Sequence, residues 1–139
     1  MKLSFLIIDD SELDCYVAEK LIKSRAGISS VHTFLEAEAA LAHIINNKTE
    51  SNALTVILLD ILMPVMDGHD FLDEFEKLPS QIVEKYLIIA ITSSLNKNEI
   101  ETIGRYRSVK AVIDKPIKIG AVARVLKENN ARLQITEQL

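Results

Sequence analysis

Asp60 closes an apolar run, Leu54-Thr55-Val56-Ile57-Leu58-Leu59, and Pro64 follows four residues later. The run is rich in Val, Ile and Leu and does not alternate, which reads as a strand buried on both faces. A carboxylate at the tip of such a strand is costly to desolvate unless something pairs with it. Asp60 is therefore expected in an open crevice, with its carboxylate as the reactive group. Three other apolar runs lead into polar residues. Leu3 to Ile8 ends in Asp9-Asp10, Tyr86 to Ile91 in Thr92-Ser93-Ser94, and Val109 to Ile113 is followed by Lys115-Pro116. Brought together, these residues are a carboxylate nucleophile, two further acids, a hydroxyl donor and an ammonium. Carboxylates that close repel, which raises at least one pKa unless a cation intervenes. Hard oxygen ligands suit Mg²⁺, which takes one or two carboxylates, water and phosphate oxygens. The set holds the parts for phosphoryl transfer onto aspartate, where catalysis is mostly positioning and charge neutralisation. Pro116 fixes the chain direction after Lys115, and a cis Lys115–Pro116 bond is expected.

These groups meet only if the intervening segments carry them to one place. Ser11 opens a helical pattern, with Asp14 three residues on as a capping-box partner. Leu13, Val17 and Leu21 mark its apolar stripe, widened by Ala18 and Ile22, and Gly27 is a stop. Ser29 to Phe34 reads as a second strand. Glu36 to Asn47 is an amphipathic helix, with Ala37, Ala40, Leu41, Ile44 and Ile45 on one face. A polar loop, 46–52, leads to the third strand. Met66-Asp67-Gly68 is turn chemistry. A helix with Phe71, Leu72, Phe75 and Leu78 inward follows and ends at Pro79. Asn96 with Glu99 opens a more polar helix, whose apolar positions are Ile100 and Ile103. Ile119, Val122, Ala123 and Leu126 mark the last helix, and the chain from Asn129 is polar.

Five strands alternating with five helices predict an α/β fold with a mainly parallel sheet and helices on both faces. Right-handed crossovers make it a doubly wound sheet, in which ligands bind outside the carboxyl ends of the strands. In the order 2-1-3-4-5 the first and third strands are neighbours, and Asp9, Asp10 and Asp60 converge. A chain of 139 residues reads as one domain, 1–139, with a core at about 3–129 and a polar C-terminal tail. The 48% apolar and 26% charged composition is that of a soluble globular protein. A net charge of −4 with no basic stripe argues against direct nucleic-acid binding. No run is long enough to span a membrane, and the opening turns acidic too soon for a signal peptide. The lone Cys15 excludes an intrachain disulfide and suits a reducing compartment; the expected location is the cytoplasm. His32, His43 and His69 share no spacing and read as surface residues rather than metal ligands.

In these four strand-end motifs the chain resembles the receiver domains of two-component response regulators, in particular single-domain, chemotaxis-regulator-like members. The matching residues are Asp9-Asp10, the segment Asp60-Ile61-Leu62-Met63-Pro64-Val65-Met66-Asp67-Gly68, Thr92, and Lys115-Pro116. The resemblance covers roughly Leu3 to Asn129. It implies a flavodoxin-like (βα)5 fold with strand order 2-1-3-4-5. It also implies that Asp60 accepts a phosphoryl group from a phosphohistidine on a sensor histidine kinase. Asp10 would bind Mg²⁺ directly, Asp9 mainly through water, and the Leu62 backbone carbonyl would be another ligand. Thr92 would hydrogen-bond the phosphate, and Lys115 would pair with it. The implied partners are the kinase or a histidine phosphotransfer protein, a downstream protein, and a phosphorylation-dependent dimer. Self-phosphorylation and self-dephosphorylation would be the chain's only chemistry.

Two positions depart from the family pattern. Val112 stands three residues before Lys115, where receivers often carry an aromatic switch, and Ser108 stands where glycine is common at the turn into the last strand. Nothing after the last helix reads as an output domain. Each motif alone also has a plainer reading: Asp9-Asp10 as helix-capping acids, Asp60 as a loop acid, Thr92 as a turn hydroxyl, Lys115 as a surface lysine. Two other functions compete. A Mg²⁺-dependent aspartate-nucleophile phosphatase would need a second acid two residues after Asp60, where Leu62 stands. A phosphate-independent pseudo-receiver would have no use for the full acidic set. A flavin-binding fold of similar topology lacks its phosphate-cradling loop after the first strand.

Overall fold

The computed structural model describes residues 2–25, 27–46, 53–93 and 96–129. Five strands form one parallel sheet, β1 (Lys2–Ile8), β2 (Ile28–Phe34), β3 (Ala53–Asp60), β4 (Tyr86–Thr92) and β5 (Val109–Asp114), in the order β2-β1-β3-β4-β5. Six helices connect and follow them: α1 (Glu12–Lys23), α2 (Ala37–Asn46), α3 (Gly68–Phe75), α4 (Ser80–Val83), α5 (Lys97–Gly104) and α6 (Ile119–Glu128). The sheet order and the doubly wound α/β architecture are those expected. The polar loop from 47 to 52, Ser94 and the tail beyond 129 lie outside the described residues.

Alternate residues of the central strands feed two cores. On one face Phe5, Ile7, Val56, Leu58 and Ile89 pack with Ala18 and Ile22 of α1 and Val122 and Leu126 of α6. On the other, Leu6, Ile8, Ile57, Leu59 and Ile88 pack with Ala40 and Ile44 of α2, Phe71 and Phe75 of α3, and Ile103 of α5. This two-sided burial is why β3 and β4 read as unbroken apolar runs. Phe75 links α3 to the sheet through an edge-on contact with Tyr86 at 5.8 Å between ring centroids, a geometry favoured by the ring quadrupoles.

Three expectations are corrected. The inward face of α1 is Cys15, Ala18 and Ile22; Leu13 and Val17 are 69% and 43% exposed. The expected stripe is broad, and the sheet takes its Ala18 and Ile22 edge together with Cys15. The third helix ends at Phe75, with Glu76 as its cap, before Pro79 is reached; Pro79 instead starts the extra single turn α4, where Ile82 N–H and Val83 N–H both donate to its carbonyl. On α6 the third buried residue is Val125 rather than Ala123.

Ser108 forms its turn differently from a glycine. Its N–H and its hydroxyl both donate to Glu76 Oε2, at 2.8 and 2.6 Å, so a side-chain clamp replaces backbone freedom. Gly68 is required by a close approach. A Cβ there would lie 2.8 Å from Ile61 Cα, and its N–H donates to the Ile61 carbonyl at 2.9 Å. Asp67 caps α3 just before it in a reciprocal box with Asp70.

Candidate functional site

Register brings the acids together. Ile8 of β1 pairs with Leu59 of β3, so the next residue on each strand is an aspartate, Asp9 and Asp60. One oxygen from each of Asp9, Asp10 and Asp60 lies within 4.8 Å of the others. Asp9 and Asp60 are buried, at 4% and 5% exposure, while Asp10 is exposed. On the far side of Asp60, Thr92 ends β4 fully buried and pairs in register with Asp114. The Thr92 carbonyl accepts from Lys115 N–H at 3.0 Å, which fixes the start of the loop after β5. The Lys115–Pro116 bond is cis, as expected. The lysine Nζ lies 2.9 Å from Asp9 Oδ2 and 3.6 Å from Asp60 Oδ2.

The electrostatics follow from one cation serving several acids. Burial and the neighbouring charge of Asp9 push the Asp60 carboxyl up to about 7 from its ordinary value of 3.8. Lys115 and the Leu62 N–H, which donates to Asp60 Oδ1 at 3.3 Å, pull the other way without balancing it. Burial opposes the charge on Lys115, but hydrogen bonds to Asp14 and Asp9 and the charge of Asp60 outweigh it and hold the ammonium above its usual pKa. Both oxygens of Asp9 are engaged, Oδ1 by Ser11 N–H at 3.0 Å and Oδ2 by Lys115.

Asp14 is the residue that the sequence reading placed wrongly. Ser11 Oγ does accept from Asp14 N–H at 3.1 Å, but the carboxylate does not close a capping box. It pairs instead with Lys115, Oδ2 to Nζ 2.9 Å. An acid in the first turn of the helix that leaves β1 was the available signal, since that turn starts at the mouth of the crevice. Cys15 is buried, donates to the Asp9 carbonyl at 3.3 Å, and has its thiol pushed up to about 11 by burial and by Asp9, so it is inert packing. His32 and His43 do meet, with ring centroids 5.4 Å apart, although their spacing gave no hint of it. Burial and His32 lower the pKa of His43.

Leu62 and Val65 are exposed beside the site, at 51% and 94%, and Val65 has φ 67°, a left-handed conformation unusual for a β-branched residue. Val112 is half-buried against the core on the α2, α3 and α5 face. It lines a cavity of about 470 Å³ with Lys115, Pro116 and Lys118.

An acidic crevice at the carboxyl ends of a 2-1-3-4-5 sheet, closed by a lysine that a cis bond joins to the following proline, is a recognisable class of site. The family model for the response regulator receiver domain matches residues 5–127, and the chain belongs to that family. Among solved structures it is similar to a response regulator receiver protein from Dyadobacter fermentans, at 29% identity and TM-score 0.82, over 91% of this chain and 96% of that one. A two-component response regulator from Cytophaga hutchinsonii superposes with TM-score 0.77 at 20% identity, covering 92% and 97%. A chemotaxis protein from Vibrio cholerae gives 0.72 at 22%, covering 92% and 98%. These last two likenesses bear on the fold alone. No curated protein matches the chain.

The donor set fits the divalent cation expected of the family. Three carboxylates present only hard oxygens, and their mutual repulsion is incompletely offset by Lys115. Among the described residues, no helix is long and apolar enough to cross a membrane.

Proposed function

We propose that this chain is a phosphorylation-controlled receiver module, one domain with its core at about 3–129, acting in the cytoplasm. An Asp60 oxygen attacks the phosphorus of a phosphohistidine on a histidine kinase or a histidine phosphotransfer protein. A P–O bond forms, the P–N bond breaks, and its electron pair returns to the donor imidazole. The product is an acyl phosphate. The single observation that carries this reading is the convergence of Asp9, Asp10 and Asp60, with one oxygen of each within 4.8 Å of the others, beside the Lys115 ammonium 3.6 Å from Asp60.

Asp10, Asp60 and the Leu62 carbonyl would hold Mg²⁺. Asp9, whose oxygens already serve Ser11 and Lys115, would reach it mainly through water. When bound, the ion neutralises the acids and the incoming phosphoryl oxygens. Thr92 donates its hydroxyl to the phosphoryl group, and Lys115 pairs with it. The module turns over no external metabolite; it loses its phosphoryl group by slow self-hydrolysis. Leu62, two residues after Asp60, has no proton to give, which separates the site from an aspartate phosphatase. With Val112 at the switch position, output runs through the surface rather than an aromatic rotamer, to a downstream protein or a phosphorylation-dependent dimer.

The test is incubation with Mg²⁺ and acetyl phosphate, read by intact mass. The wild type gains one phosphoryl group and Asp60→Asn gains none. An unmodified wild type, or equal gain in the variant, rejects the reading.

A further inference from the structure

Lys115 stands closer to two acids that are not the phosphoryl acceptor than to the acceptor itself. Its Nζ is 2.9 Å from Asp9 and 2.9 Å from Asp14, against 3.6 Å from Asp60. The Asp14 carboxylate has no part in capping α1, because the cap uses only its backbone N–H. The Asp14–Lys115 pair also walls a recess of about 310 Å³, whose other sides include Leu13, Val17, Pro116 and Ile117. The Lys115 side chain is 21% exposed, so the pair is less fully screened than one on an open surface.

We propose that Asp14 is a positioning residue that holds the Lys115 ammonium on the α1 side of the crevice and thereby slows phosphoryl uptake by Asp60. The inference rests on the receiver reading and deepens it. In uptake from acetyl phosphate, an Asp60 oxygen bonds to phosphorus. The bond from phosphorus to the acetate oxygen breaks, and acetate leaves with the electron pair. Negative charge then sits on oxygens attached to Asp60, and Lys115 must turn toward them. Its ammonium has three protons to share. Asp9 and Asp14 engage two of them and hold the ammonium 3.6 Å from Asp60, so closing on the phosphoryl group means lengthening the contact to Asp14, the more exposed partner at 45%.

The experiment measures the uptake rate from acetyl phosphate at saturating Mg²⁺ by intact mass, with Mg²⁺ affinity measured by calorimetry beside it. Asp14→Asn removes the charge but keeps the backbone N–H that Ser11 caps. Its uptake is expected to rise about five-fold, the worth of one partly exposed ion pair, with Mg²⁺ affinity unchanged. Asp14→Glu, which keeps the charge, is expected to stay near the wild-type rate. In a Lys115→Gln background the gain from Asp14→Asn should vanish, because the effect acts through the lysine. A rate in Asp14→Asn equal to or below wild type overturns the inference. So does a gain that survives without Lys115, which would mean that Asp14 merely repels the donor. A wild type that takes up no phosphoryl group overturns the receiver reading and this inference together, whereas normal uptake with an unresponsive Asp14 overturns only the latter.

Discussion

The two ends of the sheet treat their carboxylates in opposite ways. At the amino end of β5, Glu76 accepts two short hydrogen bonds from Ser108, one from the backbone and one from the hydroxyl. It leaves nothing wanting and serves only to close a turn. At the carboxyl end, Asp9, Asp14 and Asp60 share Lys115, and Asp60 holds the longest of the three contacts. That end also contains Val65 in a left-handed conformation and Gly68 pressed onto Ile61. One end is satisfied and the other stores unfavourable free energy. Strain and unbalanced charge gather where chemistry is expected, and the rest of the fold must stabilise them.

The contrast breaks most visibly at Asp60. Its folded-state carboxyl is raised to about 7, while the unfolded value is near 3.8. Below pH 4 both states are protonated and no penalty exists. As pH rises toward 7 the unfolded chain ionises first, so stability falls, and the full penalty persists above 7. Without divalent metal at pH 8, Asp60→Asn is therefore expected to be more stable than wild type, on the order of 2–4 kcal/mol. The gap should close below pH 4. Urea denaturation in EDTA across that range checks it, and a variant no more stable than wild type at pH 8 would contradict the electrostatics.

Gly68→Ala comes next. The added methyl meets backbone rather than a pliable side chain, so a loss of about 2–3 kcal/mol is expected, measured by the same denaturation. At the opposite end, Glu76→Ala leaves the Ser108 N–H and hydroxyl without their acceptor and should cost about 1–2 kcal/mol, while phosphoryl uptake stays unchanged. A change in uptake would show that the two ends are not independent. The smallest effect is a gain. Val65→Asn, which tolerates the left-handed conformation, should stabilise by roughly 1 kcal/mol; thermal melts that show no gain would mean that the loop adjusts.

Some of this was legible in the chain and some was not. The apolar runs of β1, β3 and β4 announce a sheet covered on both sides, because burial on two faces removes alternation. The strand-end residues Asp9, Asp10, Asp60, Thr92 and Lys115 follow from the same runs. The buried face of α1 did not follow. Leu13, Val17, Ala18, Leu21 and Ile22 form one broad stripe, and local pattern cannot say which edge of it the sheet takes. The turn α4 was hidden because Pro79 reads as a helix stop, whereas α3 has already ended at Phe75 and the proline begins a new turn. The role of Asp14 was hidden because a capping acid and an ion-pairing acid look alike until a partner one hundred and one residues away is placed.

Sequence alone determined the order of strands and helices, and which acids, hydroxyl and lysine stand at strand ends. These depend on hydrophobic periodicity and on residue type, which are local. Tertiary structure decided how the charges are shared. The distances from Lys115 to Asp9, Asp14 and Asp60 depend on strand register and on how α1 lies against the sheet, and no stretch of the chain encodes them by itself. Electrostatic energy varies with separation and with the water excluded around it, so only the folded chain sets how far Asp60 is left uncompensated.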